Sequence, residues 1–402
     1  MVDTPTSTGD RDRVLARSRA LKMARSVHAY VRGNTEQFYR WLQASPVAAK
    51  IPIGPPIWIC GDCHLGNLGP LADADHKVEI QIRDLDQTVI GNPALDLIRL
   101  GLSLESAARS SDLPGVTTAK MVEALIDGYV RALTPQTDDD PVEPDVVRTV
   151  RRKAKGRRWH HLARERIGDV EPAIPLNKRF WKPSNAERTA IDALFAEADV
   201  RQRCLSLANL APDDRLRVVD AAFWRKGCSS LGKLRFAVLL GFSETGSKGE
   251  RYALVDIKQA VEPVAPANKG AKMPRDAAHR VVAGARALSP NLGDRMIPSH
   301  LLGKPVVMRE LAPQDLKIEV EQFTRAEAVQ AAAYLAYIVG IAHARQLSDA
   351  ARNAWAKKVR ARRDDNLDAP SWLWQSIIEL AGAHEVGYLD HCRRFALNSN
   401  RA

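Results

Sequence analysis

The chain is expected to fold as an α+β protein, on three observations. Apolar residues recur at three- and four-residue spacing over 11–48, 93–133 and 325–345, the period of helices. Between the last two stretches, 216–260 holds three strand-like runs, RLRVVDAAFWRKG, KLRFAVLLGF and RYALVDIKQA, separated by turn-forming residues. The composition, 45% hydrophobic and 27% charged, is that of a globular chain and excludes a disordered, collagen-like or disulfide-scaffold protein.

Taken in order, 11–48 reads as helical. The Pro/Gly-punctuated IPIGPP leads to a buried strand, Ile57-Trp58-Ile59-Cys60. A polar loop, GDCHLGNLGPLADADHK, precedes VEIQIRDLD, whose alternation predicts a half-exposed strand. Helix is expected from Pro93 to about Leu133. An acidic link over 134–145 joins it to a basic segment, 148–166, which carries nine Lys/Arg against one Glu, and more helix follows to about Leu210. The three runs of 216–260 predict an antiparallel meander. Then come a helix at about 275–288, a strand at 304–311 (KPVVMREL), a helix at 325–345 and a helical end.

The 402 residues allow two to three domains or one large two-part unit, at roughly 100–200 residues per domain. The formal charge of +11 favours anionic partners, nucleic acid, a membrane surface or phosphorylated small molecules, without choosing among them. No apolar run approaches the roughly 18 residues of a spanning helix, and the polar N-terminus lacks the apolar core of an export signal, so a cytoplasmic protein is expected. Five cysteines are too few for a disulfide framework.

The densest chemistry lies in Gly61-Asp62-Cys63-His64-Leu65-Gly66-Asn67, directly after a buried strand, followed by Asp84-Leu85-Asp86 at the end of the next. Phosphoryl transfer needs a base for the acceptor hydroxyl and oxygen ligands for Mg²⁺ on the nucleotide phosphates. Asp62 fills the first role, Asn67 and Asp84 the second, and His64 stands beside the base. Asp86 either binds a second Mg²⁺ or caps a turn. Asp and Asn also make ordinary turns, but the combined spacing favours chemistry. Cys60-Gly-Asp-Cys63-His64 has the form of c-type haem attachment or half a zinc site; haem attachment takes place outside the cytosol, and no second CxxC exists.

These residues carry a resemblance. GDCHLGN is similar to the catalytic loop G-D-x-H-x-x-N of aminoglycoside phosphotransferases and related kinase-like enzymes. DLDQTVIGNPALDL resembles their metal-binding segment D-[FW]-[ED]-x-x-x-x-G-x-P-x-x-D-L, which implies that Asp84 binds metal and Asp96 braces the catalytic loop. With YVRGN (30–34) and AHAR (342–345), the chain resembles a bacterial family known as domain of unknown function 2252. Val255-Asp256-Ile257-Lys258 looks like the kinase V-A-I-K strand, whose Lys meets nucleotide phosphates. Gly227, Ser229, Ser230 and Gly232 would form the glycine-rich phosphate hairpin, with Glu310 and Leu311 near the adenine.

The order is inverted relative to ordinary kinases, since the catalytic loop precedes the lysine. The resemblance therefore implies a circularly permuted, bilobal kinase-like fold. A mostly helical large lobe would be built from 1–211 and 313–402, and a small antiparallel-sheet lobe from 212–312. The helix ending GIAHAR would be the one that normally runs into the catalytic loop. ATP and Mg²⁺ are the implied cofactors, and an unidentified hydroxyl, on a small molecule or a protein, the acceptor. The helix 275–288 lacks the Glu that pairs with the kinase lysine, and Glu262 is a substitute; Gln259 stands where the family commonly has Glu. Arg32 and Arg99 either reach the phosphates or brace Asp62. The alternatives are transfer of a nucleotidyl group to a protein from the same pocket, and a non-catalytic nucleotide sensor or nucleic-acid binder. In the latter the basic segment, with Trp159, His160 and His161, would engage an anionic partner.

Overall fold

The computed structural model describes residues 8–73, 75, 77–134, 141–156, 172–226, 231–246, 250–311, 316, 324–361, 363–364 and 367–399. Local signals divide the N-terminal helical stretch into three: α1 (Thr8–Met23), α2 (Val27–Gly33) and α3 (Thr35–Ala44). The Ser26 hydroxyl accepts from Ala29 N (3.1 Å) and the Asn34 side chain from Gln37 N (3.2 Å). Each satisfies a donor at a helix start, so the helical stretch is divided there. β1 (Ile57–Ile59) follows, and the polar loop then contains an unforeseen strand, β2 (Leu68–Ala72), which pairs antiparallel with β3 (Val78–Ile82). β4 (Val89–Gly91) pairs with β1. The stretch from Pro93 holds α4 (Ala94–Ser110) and α5 (Gly115–Leu133), broken at Pro114.

α6 (Asp145–Gly156) covers β2 and β3. This is why β3 is not the half-exposed strand expected: Gln81 is 4% exposed, and only Glu79 is part-exposed along it. Next come β5 (Phe180–Trp181), α7 (Asn185–Ala196) and α8 (Ala198–Leu207). The meander appears as β6 (Arg215–Trp224), β7 (Arg235–Ser243) and β8 (Arg251–Gln259), followed by α9 (Ala277–Leu288), the single turn α10 (Pro290–Gly293), β9 (Met296–Leu301) and β10 (Lys304–Glu310). α11 (Arg325–Ala344), α12 (Asp349–Arg360), the short pair β11 (Arg363–Asp364) and β12 (Leu367–Pro370), and α13 (Ser371–Ser399) complete the described chain.

The molecule is α+β. Six strands form one sheet in the order β5-β6-β7-β8-β10-β9, every neighbouring pair antiparallel. Segment 212–312 supplies five of these strands, and β5 joins from outside it. One sheet face buries Phe236, Val238 and Ile257 against α7, α8 and Leu15 of α1; the other buries Trp224, Leu254 and Leu311 with Ile174 and Phe180. The helical part has its own large core, in which α5 and α11 lie closest. Gly128 makes that approach feasible, because a Cβ there would sit 2.0 Å from the Ala333 carbonyl oxygen. No helix among the described residues is long and apolar enough to cross a membrane.

α4 carries a buried carboxylate, Glu105, whose pKa is pushed up to about 7, by burial first and then by Glu385, against Arg109. The unfolded carboxyl titrates near 4.3, so between about pH 4.3 and about pH 7 the folded state holds the extra proton. This contribution is present at low pH and lost as pH rises. Stability of the wild type should fall between about pH 4 and about pH 7, and Glu105→Gln should flatten that slope in urea denaturation.

Candidate active site

The loop after β1 is fixed from below by Asp96 in the first turn of α4. Its Oδ2 accepts from Cys60 N (2.7 Å) and its Oδ1 from Gly61 N (2.9 Å). His343, near the end of α11, reaches the same carboxylate through Nε2 (3.2 Å), and its Nδ1 meets Tyr129 Oη (3.0 Å). Asn92 stands just before α4: its Oδ1 accepts from Ala94 N and Gly54 N, and its Nδ2 donates to Pro52 O. Thus the G-N-P-x-x-D stretch ties three segments to one helix start. Gly61 lies at φ +74, and a Cβ there would meet the Gln87 carbonyl oxygen at 2.2 Å, so the turn into Asp62 requires glycine.

Asp62 is buried and receives the Arg99 guanidinium, Nε to Oδ1 at 2.8 Å. Arg99 is fully buried and also donates to Val31 O (2.6 Å). Arg99 therefore braces Asp62, one of its two expected roles. The Asn67 side chain donates through Nδ2 to Asp62 O (2.9 Å), and its Oδ1 is the remaining side-chain acceptor.

The β2–β3 hairpin connects this loop to the second carboxylate segment. Its register sets Leu68 opposite Ile82, so Asn67 comes opposite Arg83, whose N–H donates to Asn67 O at 2.7 Å. Asp84 and Asp86 follow directly. Lys258, 174 residues away on β8, places Nζ 3.1 and 3.2 Å from the two Asp84 oxygens and 2.5 Å from Asp86 Oδ2. β8 is central in the sheet: Lys258 is flanked by Arg235 of β7 and Val307 of β10.

Burial pushes the Asp62 carboxyl above its ordinary range, and Asp84 adds to this, against Arg99 and Thr35. Burial also acts on Asp84, but Lys258 outweighs it, with Arg235 and Arg309 adding, and the carboxyl is held well below the usual range. Asp86 is raised by burial and by the Asp84 charge, against Lys258. Lys258 is raised: burial would lower it, but the two carboxylates prevail. Lys258 thus bridges the two carboxylates and offsets one of their two charges.

The other expected site residues are distributed as follows. Gly227, Ser229 and Ser230 lie outside the described residues; Gly232 is described, at φ +91 with open space around it. Leu311 packs with Leu254, on the sheet face that also carries Asp256 and Lys258, and donates its N–H to Leu254 O (2.8 Å). The Glu310 side chain lines the opposite face with Cys204. His64 is 6% exposed, with Nδ1 lacking a hydrogen-bond partner; burial first, then Arg32, hold its pKa well below the ordinary value, so it stays neutral. It lies buried in the loop. Lys258 takes Asp84 and Asp86 as its partners, where the sequence offered Glu262. Among the described residues, no group of three His, Cys, Asp or Glu side chains stands in metal-binding geometry.

One group at the site escaped the sequence reading. Arg235 of β7 clasps Asp256 of β8 through two bonds (2.9 and 2.6 Å), and Arg309 of β10 stands 3.6 Å from the same carboxylate. Asp256 is 1% exposed. These charges line the same small cavity, about 50 Å³, as Asp84, Asp86 and Lys258. The available signal was a charged residue next to apolar ones in each of the three strands, a placement rare without a partner when buried.

A second link joins chain ends that the sequence keeps far apart. Gln346, just after α11, accepts from Trp58 N (2.8 Å) and donates to Trp58 O (3.0 Å), so the end of α11 sits against the start of β1. No curated protein and no solved structure matches the chain. The model of a family described as uncharacterized and conserved in bacteria does match, over residues 11–394, and on that nearly complete match the chain belongs to this family, domain of unknown function 2252.

Proposed function

We propose that the protein is an ATP- and Mg²⁺-dependent phosphotransferase with a circularly permuted kinase-like arrangement. The observation that carries this reading is the contact of Lys258 with Asp84 and Asp86, across 174 residues, beside the loop that holds Asp62 and Asn67. A lysine on a central strand, two carboxylates, an amide and a buried base are the parts that phosphoryl transfer uses. The seating of Gln346 on Trp58 supports the permuted order, since it brings the helix expected before the catalytic loop to that loop's strand.

The donor set fits Mg²⁺. Asn67 Oδ1, Asp84 and Asp86 offer hard oxygens only, and Mg²⁺ is usually held by one or two carboxylates together with substrate phosphates and water. When bound, the metal would neutralise charge on those phosphates. Lys258 turns from the carboxylates toward phosphate oxygens. Asp62, aimed by Arg99 and by the loop that Asp96 holds, takes the proton of the acceptor hydroxyl. Arg235 stays on Asp256 and adds positive charge beside the cluster.

Calorimetric titration with ATP should show binding that requires Mg²⁺, and Asp84→Ala should weaken it by about a hundredfold or more, in line with loss of one charged metal ligand. Binding indifferent to Mg²⁺ and to Asp84→Ala would sink the proposal. The mass of the modified product separates transfer of a phosphoryl group from transfer of a whole nucleotidyl group.

A further inference from the structure

A cavity of about 500 Å³ opens between β3, α6 and α11, within the roughly 300–1,000 Å³ that small-molecule sites occupy. It shares no lining residue with the cavity beside Lys258. Ile80, Ile338 and Ile341 make one apolar wall, and Tyr334 and Tyr337 also line it. Within it lies an unsatisfied group. Gln81 is 4% exposed; its Nε2 donates to Glu79 Oε2 (3.1 Å), while its Oε1 has no hydrogen-bond partner. A buried amide oxygen without a donor is costly, and Gln81 is among the residues that line this ligand-sized space.

Among the described residues, Lys77, Arg151, Lys155 and Arg345 line it together with Glu79 and Glu143. Arg151 is engaged by Glu143 (2.7 and 2.6 Å) and Lys77 by Glu79 (3.0 Å), while Arg345 stands exposed at the rim. Arg151 and Lys155 belong to the basic segment that the candidate active site leaves unexplained.

We propose that this cavity binds a small organic anion: a carboxylate on an aromatic or aliphatic body that also carries an O–H or N–H group. The carboxylate meets Arg345 at the rim, the body packs on the isoleucines, and the donor satisfies Gln81 Oε1. Such an occupant touches β3, which runs on into Asp84, and α11 at Ile341, two residues before His343. The proposal stands independently of the phosphotransferase reading.

The test is calorimetric titration of the full chain with four probes. 4-Hydroxyphenylacetate and indole-3-acetate have both the carboxylate and the donor. Phenylacetate lacks the donor, and 2-(4-hydroxyphenyl)ethanol lacks the carboxylate. The first two should bind about tenfold or more tighter than 2-(4-hydroxyphenyl)ethanol, which loses a charge-assisted bond, and about fivefold tighter than phenylacetate, which loses a neutral one. Arg345→Met, at an exposed position that should not disturb folding, should remove the advantage of the carboxylate. Gln81→Met should remove that of the donor, with circular-dichroism melting as the check on its fold. Asp84→Ala should leave all four affinities unchanged. The proposal is overturned if no probe binds, the result for a cavity holding only water. It is equally overturned if Arg345→Met binds like wild type, or if Asp84→Ala abolishes binding and so places the probes at the other site.

Discussion

Asp62→Asn should lower Mg²⁺-dependent ATP turnover by roughly 10²–10⁴-fold, the usual contribution of a positioned general base, while leaving nucleotide affinity near wild type. The argument rests on how Asp62 is held. Its carboxylate is buried and aimed by Arg99 at 2.8 Å, and the asparagine variant keeps the shape but cannot take a proton. Phosphate release, with water as the acceptor, measures this without knowledge of the natural substrate. The pH profile adds a second readout. Burial raises the Asp62 carboxyl above its ordinary range, and a general base works only when ionised. Wild-type turnover should therefore climb with pH through that raised value, and the Asn variant should lose this limb. Equal turnover in the two proteins would remove Asp62 from the mechanism.

Asp96→Ala should cost about 3–5 kcal/mol of stability, the penalty for breaking a buried charged network by removing one partner. The carboxylate accepts two backbone N–H groups, from Cys60 and Gly61, and faces His343 Nε2. Behind His343 stand Tyr129 Oη and then Trp355 Nε1, which donates to it at 2.9 Å. Deletion leaves the two N–H groups without an acceptor and the imidazole without its partner, all of them away from water. Asp96→Asn keeps the volume, but one amide oxygen must serve two N–H donors, so it should recover only part of the loss. Urea denaturation gives the magnitude. A loss below about 1 kcal/mol would mean that the network adds little beyond what surface pairs do.

The helices and the meander were legible because their signal is local. Periods of about 3.6 and of 2 are written into consecutive residues, as in 325–345 and in the three runs of 216–260. The short strands β2, β4, β5 and β9 were not. Two to six residues carry too little periodicity, and each exists because a partner strand is present. The exposure of β3 was misjudged for the same reason, since α6, which covers it, follows more than sixty residues later. The catalytic candidates were legible as types and spacings. Their mutual distances were not, and the cluster Arg235–Asp256–Arg309 passed unnoticed, because a charge in a strand names no partner until the register is known.

By itself the sequence determined the α+β class, the family, and the residue types of the loop 61–67, the segment 84–86 and the strand that ends at Lys258. Only the tertiary structure decided that Lys258 reaches Asp84 and Asp86, that Arg99 braces Asp62, and that Gln346 returns the end of α11 to β1. Composition and period follow from neighbours along the chain. A contact between residues 174 positions apart follows from strand register and core packing, which arise only once the whole chain has closed on itself.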